Sequence, residues 1–184
     1  MPQVANYRDQ QQTPLYDTYQ IAASQSVPAR IAFFNSRTRT ADGGEITNMP
    51  SAGFLPPPNV FTVFGLMFSP IGCDEADLVK LMKQYTAELT IGGKEYLTAP
   101  IDFFPGPGGI QGAVATTATT TTIKQWTNGP GGHHASFALA PEYAVTIESN
   151  ERFEVNLQGA SGFTSTAAIF LRAYLLGVWQ KPVR

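Results

Sequence analysis

The last third of the chain restricts the fold more than any other part. Across residues 167–178 side chains alternate: Ile169, Leu171, Ala173 and Leu175 take one face, and Phe170, Tyr174 and Leu176 take the other with Arg172. A period of two is the signature of a strand. Apolar residues on both of its faces predict a central strand, covered twice or covered once by its own core and once by a neighbour. The same period recurs upstream. Phe153, Val155 and Leu157 mark one strand after a turn at Asn150, Val145 and Ile147 mark another, and Phe137 and Leu139 share a face before Pro141.

Pro and Gly punctuate the rest into strand-length pieces. Residues 29–35 form a first candidate strand, and a polar loop over 36–48 turns at Asp42-Gly43-Gly44. Pro56-Pro57-Pro58 sets an extended entry to residues 60–68, whose aromatic and β-branched content predicts a buried strand. Residues 85–98 predict a hairpin around Gly92-Gly93, ended by Pro100. Two Gly-Pro-Gly-Gly turns, at 106–109 and 129–132, bracket residues 110–128. The centre of that stretch, 116–122, has six threonines in seven positions, which suits an exposed strand or extended loop and opposes a helix. No longer repeat points to a propeller or solenoid.

One segment predicts a helix of about three turns. Asp74 can cap it and Asp77 sits three residues on. Leu78, Leu81, Met82 and Tyr85 then share a face that should lie on the sheet, and Lys80 and Lys83 fall near the end where the helix dipole favours cations. Residues 1–27 differ in kind. They are rich in Gln, with Tyr7, Tyr16 and Tyr19 as anchors, and cannot bury enough surface to fold alone. They predict an extended N-terminal arm, either a disordered tail or one that orders against a partner subunit, with residues 28–184 as the domain. Tyrosines offer such a partner large contact area with few torsions to freeze.

About eight strands with long loops and one short helix predict an all-β domain, a two-sheet sandwich or barrel of the single jelly-roll form. An immunoglobulin-type sandwich is the competitor, without the cysteine pair flanking a core Trp that would support it.

Charge narrows function. Only 14% of the 184 residues are charged, against about a quarter in ordinary globular chains. Interface centres are depleted in charge, so a charge-poor surface suits one covered by neighbours, although a small Thr- and Ser-rich β domain would read the same way. Net charge is −2 with no Lys/Arg block, so no electrostatic footprint for direct nucleic-acid binding is present. No apolar run in residues 1–19 predicts a signal peptide, and residues 163–179 are too short and polar to span a bilayer. A soluble chain made in a cytoplasm is expected.

The candidate chemistry is thin. His133-His134 are adjacent, so on a strand they point to opposite faces and would share a metal only across a bend at Gly131-Gly132. Two exposed loop histidines are the simpler reading. Cys73 precedes the helix start, where a thiolate would be stabilised, but a buried apolar Cys is the plainer reading; a single cysteine excludes an internal disulfide framework. No Gly-x-Ser-x-Gly elbow and no phosphate loop occurs, and Asp74, Glu75 and Asp77 lack calcium-loop spacing. Glu148, Glu151 and Glu154 read as solvated. No catalytic residue, metal or cofactor is expected, and the chain reads as a non-enzyme.

A Gln/Tyr arm, low charge and long Gly/Pro/Thr loops together suit a lattice subunit. The segment Glu151-Arg152-Phe153-Glu154-Val155-Asn156-Leu157, a Gly-rich loop, and Leu171-Arg172-Ala173-Tyr174-Leu175-Leu176-Gly177-Val178-Trp179 before Pro182 resemble the closing strands of small phage jelly-roll virion proteins. Size, arm and single helix resemble the single jelly-roll major capsid proteins of tailless, icosahedral, membrane-containing phages (sphaerolipovirus-like). The resemblance implies a capsid subunit in the virion, made in the host cytoplasm, whose partners are its own copies, other capsid proteins and an internal viral membrane. From the residues themselves, not from the resemblance, subunit contacts are expected at the arm tyrosines Tyr7, Tyr16 and Tyr19 and at Trp126. A second reading is a receptor- or carbohydrate-binding spike or decoration protein, with Trp126 beside Thr127-Asn128-Gly129 stacking on sugar rings. A third is a hydrolase with scattered catalytic residues.

Overall fold

In chain order the strands are β1 (Arg8–Gln11), β2 (Leu15–Ile21), β3 (Ser26–Val27), β4 (Arg30–Phe33) and β5 (Val60–Ile71). After helix α1 (Glu75–Gln84) come β6 (Tyr85–Ile91), β7 (Lys94–Pro100) and a 3-10 turn at Ile101–Phe103. Then follow β8 (Gln111–Val114), β9 (Lys124–Thr127), β10 (Val145–Ile147), β11 (Phe153–Gly159), β12 (Phe163–Thr164) and β13 (Ile169–Pro182). The computed structural model describes residues 8–35, 47–104, 111–114, 124–127, 144–160 and 162–182. The expected all-β class is observed, with antiparallel pairing throughout the named strands.

Two sheets carry the architecture. The first has the order β1–β13–β5–β10, with β2 also on β13, and the second has the order β4–β11–β6–β7. The pairing is nested: β2 with β13, β4 with β11, β5 with β10, and β6 with β7. Sequence-distant strands therefore meet, and β13 is central, flanked by β2 and β1 on one side and β5 on the other, as its two apolar faces predict.

Their inner faces share one core. Leu171, Ala173 and Leu175 on β13, Val63, Leu66 and Phe68 on β5, and Leu89, Val155 and Leu157 of the second sheet are fully buried. Phe33 of β4 meets Phe68 of β5 at 5.9 Å between ring centres, and Phe68 meets Phe104 at 6.1 Å, so aromatic rings bridge the sheets.

The predicted helix forms with Asp74 as its cap, the carboxylate accepting from the Ala76 N–H at 2.9 Å. Leu78, Leu81, Met82 and Tyr85 are buried as expected. Asp77 does more than sit near the cap. It is fully buried and accepts from Lys80 at 3.3 Å and from the backbone N–H and hydroxyl of Thr166, fastening the helix to the turn before β13. The β6–β7 hairpin turns at Gly92 and Gly93, with φ of 59° and 80°, the left-handed region that a two-residue hairpin loop requires.

Residues 1–27, expected as an extended arm outside a domain starting at 28, divide differently. Arg8–Gln11 and Leu15–Ile21 are strands of the first sheet. Leu15 and Ile21 enter the core, and the Asn48 side chain closes the free edge by accepting from Tyr16 N–H at 2.8 Å and donating to the Pro14 carbonyl at 2.8 Å. The Gln-rich composition conceals this because the apolar partners of β2 lie about as far away in sequence as the chain allows.

Asp17 explains how β2 is locked. Its buried carboxylate accepts from Phe34 N–H at 2.6 Å and Thr18 N–H at 3.0 Å. Phe34 has φ of 67°, a strained conformation for a bulky residue. It is held there by Asp17, by its carbonyl accepting from Gly53 N–H at 2.6 Å, and by its ring packing 5.7 Å from that of Phe153. Asp17→Ala, which leaves two buried donors unpaired, is expected to lower unfolding free energy by on the order of 2 kcal/mol in urea titrations.

Burial raises the Asp17 pKa above its ordinary 3.8, outweighing the hydrogen bonds from Phe34, Thr18 and Thr47 that lower it. The folded state thus holds this proton more tightly than the unfolded chain. The resulting stability is fully present below pH 3.8 and is lost as pH rises through the folded-state value. Asp17→Asn should remove that part of the pH slope. An unchanged slope would mean that Asp17 is not its source.

Candidate assembly surface

With alternate residues of β2, β5 and β13 committed to the core, the register assigns the others to the outer face. They form cross-strand rows: Gln20–Phe170–Ile71, Thr18–Arg172–Ser69, Tyr16–Tyr174–Met67, Leu176–Gly65, and Thr146–Thr62–Val178. Phe170 and Ile71 are 41% and 44% exposed, and Tyr16, Tyr174, Leu176 and Val178 are half-buried. Apolar side chains thus stand on both sides of the polar Thr18–Arg172–Ser69 row, Phe170 and Ile71 before it and Tyr16, Tyr174, Leu176 and Val178 after it, while Met67 and Thr18 are themselves buried.

The rows contain no carboxylate and one cation. Arg172 donates from Nε to the Thr18 hydroxyl at 2.8 Å, and its guanidinium lies 5.3 Å from the Tyr16 ring centre. Tyr16 in turn packs on Tyr174 at 6.3 Å. The charge is therefore folded down onto its own sheet by a hydrogen bond and a cation–π contact.

The outer face of the second sheet has the opposite character. Its rows hold Arg30, Gln158 and Thr86; Ala32, Asn156, Glu88 and Thr98; and Glu154, Thr90 and Glu95. Arg30 pairs with Glu154 at 3.6 Å and donates to Asn156, while Glu88 accepts from Gln158 at 2.7 Å and Thr90 at 3.0 Å. This is a solvated polar face with an acidic excess.

The four expected contact residues are placed differently. Tyr16 is on the apolar outer face, whereas Tyr19, in register with Leu171, turns inward and packs against the core. Trp126 lies in β9, opposite Gly112 of β8, and Tyr7 is outside the described residues. Ile71, Phe170 and Arg172 escaped the sequence reading as contact residues, and Met67, on the same face, is buried within its own chain. The unbroken apolar run of β5 hides which of its residues face outward, and only the pairing with β13 sorts them.

Cys73 packs against the core, and burial, followed by the charges of Asp77 and Asp74, pushes its thiol up to about 12. It is a protonated side chain at neutral pH, so the helix start does not activate it. Among the described residues no group of three or more His, Cys, Asp or Glu could hold a metal, and no helix is long and apolar enough to cross a membrane. His133, His134, Phe137, Leu139, both Gly-Pro-Gly-Gly turns and the threonine run lie outside the described residues.

A shallow cleft of about 330 Å³ is lined by Asn35, Phe54, Asn150, Arg152 and Glu154 among others. Its floor is stitched by Phe153 N–H to the Gly53 carbonyl at 2.9 Å and Asn150 N–H to the Leu55 carbonyl at 2.8 Å. No protein-family model, curated protein or solved structure matches the chain.

Proposed function

We propose that the chain is a virion structural protein, a capsid subunit of single jelly-roll form that assembles an icosahedral shell with its own copies and other capsid proteins. The nested pairing supports the form. Of the eight strands β2, β4, β5, β6, β7, β10, β11 and β13, the first pairs with the last, the second with the seventh, the third with the sixth and the fourth with the fifth. A long two-stranded ribbon rolled onto itself produces that order.

The observation that carries the assembly role is the contrast between the two outer faces. A monomer in water has little use for Phe170, Ile71, Tyr174 and Leu176 together on one face when its other face is mostly polar and charged. The role is structural and non-enzymatic: strands supply rigidity, and surface area supplies the contacts. Purified chain should form dimers, rings or lattices in native mass measurement and electron microscopy. A strictly monomeric protein up to high concentration would overturn this.

The cleft favours a second reading, a carbohydrate-binding jelly roll. Phe54 is 38% exposed beside the polar groups of Asn150 and Arg152, a combination able to stack on a sugar ring and bond its hydroxyls. Glycan binding by a monomeric chain, lost in Phe54→Ala, would select it over the first.

A further inference from the structure

We infer that the outer face of the first sheet docks a second copy of this chain, apolar face on apolar face, about a two-fold axis running along the Tyr16–Tyr174–Met67 row. This rests on the assembly reading and names the partner for this face.

Area is the first argument. β5 has 12 residues and β13 has 14, so the face is about 40 Å long. Three strands with their side chains are roughly 15 Å across, giving a flat patch on the order of 600 Å². β2 has only 7 residues and Met67, Thr18 and Gly65 are buried, so the accessible part lies below that figure, under the ~800 Å² per partner of a standard interface and suited to one contact among several.

Charge is the second argument. A carboxylate in these rows would be costly to bury against another copy, and none is there. Arg172 already has Thr18 and Tyr16 as partners within its own chain, so docking does not strand it. Of the two described sheet faces, the acidic, hydrogen-bonded second one is the poorer complement and a second apolar face the better one.

The Tyr174 row is the middle of the five rows, so an axis along it gives the fullest overlap of the two faces. Arg172 lies one row to one side of Tyr174 and Leu176 one row to the other. Rotation about the Tyr174 row therefore sets Arg172 of one copy over Leu176 of the other, and Phe170 over Val178. The two cations are then kept about 13 Å apart along the strands, beyond a Debye length at physiological salt. An axis along the Arg172 row would put them together. A closed two-fold contact of this kind is self-complementary and can be one of several contacts in a shell.

The test uses the full chain in sedimentation equilibrium with Phe170→Glu, Ile71→Lys and, on the polar face, Gln158→Glu. Circular dichroism and the urea midpoint verify that each variant folds. The first two should weaken self-association at least ~100-fold by placing an unpaired charge in the contact, and Gln158→Glu should leave it unchanged. In a Cys73→Ala background, Tyr174→Cys should cross-link to itself across the axis, and Phe170→Cys should cross-link only when Val178→Cys is also present. Wild-type self-association that survives both charge variants overturns the docking face while leaving assembly intact. A wild-type chain that never self-associates overturns both. Loss of association in folded charge variants with self-linking at Phe170→Cys alone keeps the face and overturns the axis.

Discussion

Cutting Phe68 back to alanine is expected to lower the unfolding free energy by about 3–5 kcal/mol, close to the whole stability of many small domains. Phe68 is fully buried on β5 and is where the two sheets meet. Its ring packs on Phe33 of the second sheet and on Phe104 after the 3-10 turn, and its N–H donates to the Phe104 carbonyl at 3.3 Å. Alanine retains the backbone bond and removes the bridge, leaving a void between two sheets that cannot close without breaking other strand contacts. Urea titration reads this as a lower midpoint with an unchanged slope. A loss below ~1 kcal/mol would show that the site collapses freely and that the sheets are held elsewhere.

Gly177→Ala should be the most damaging small change outside the aromatic core, with a cost on the order of 3 kcal/mol and reduced soluble yield. At Leu176/Gly177 the register of β13 on β5 slips by one residue. A Cβ added at Gly177 would overlap the Thr62 carbonyl oxygen and the edge of the Phe61 ring. The obstacle is backbone in the middle of the longest strand pair, so relief requires moving β5. Phe61 also packs edge-on against Trp179 at 5.4 Å, and that contact would be displaced with it. Near-ultraviolet circular dichroism should report the change at Trp179 even if the variant folds. Unaltered stability and spectrum would show that the slip in register can move along the strand. Gly93, whose added Cβ would meet nothing within 4 Å, provides a contrast: its substitution carries only the conformational cost of a positive φ.

Much of this architecture was legible in the chain because period and punctuation are local. The helix from Asp74, the Gly92-Gly93 hairpin, the turn at Asn150 and the inward set Ile169, Leu171, Ala173 and Leu175 of β13 each follow from neighbouring residues. Gly177 was visible inside a strand pattern, and a glycine there often marks a bulge, but the atom it makes room for is 115 residues away.

What remained hidden depends on long-range partners. Leu15, Asp17, Tyr19 and Ile21 alternate like any short strand, yet among Gln residues they resemble an arm until β13 pairs with them. Asp17 looks like a surface acid, and only the fold brings Phe34 N–H to it and buries it. Tyr16 and Tyr19 are equivalent as residue types, but they stand three positions apart, an odd offset, so a strand sends one outward onto Arg172 and the other into the core.

The division has one physical source. Alternation, turn residues and capping follow from the geometry of a few consecutive residues, so they established a β chain with one helix and a central final strand. Which strands became neighbours, and therefore which face of β5 and β13 was turned outward, was decided by closing loops of about 100 residues and more. That closure is favourable only when the whole core forms together, and no local pattern records it.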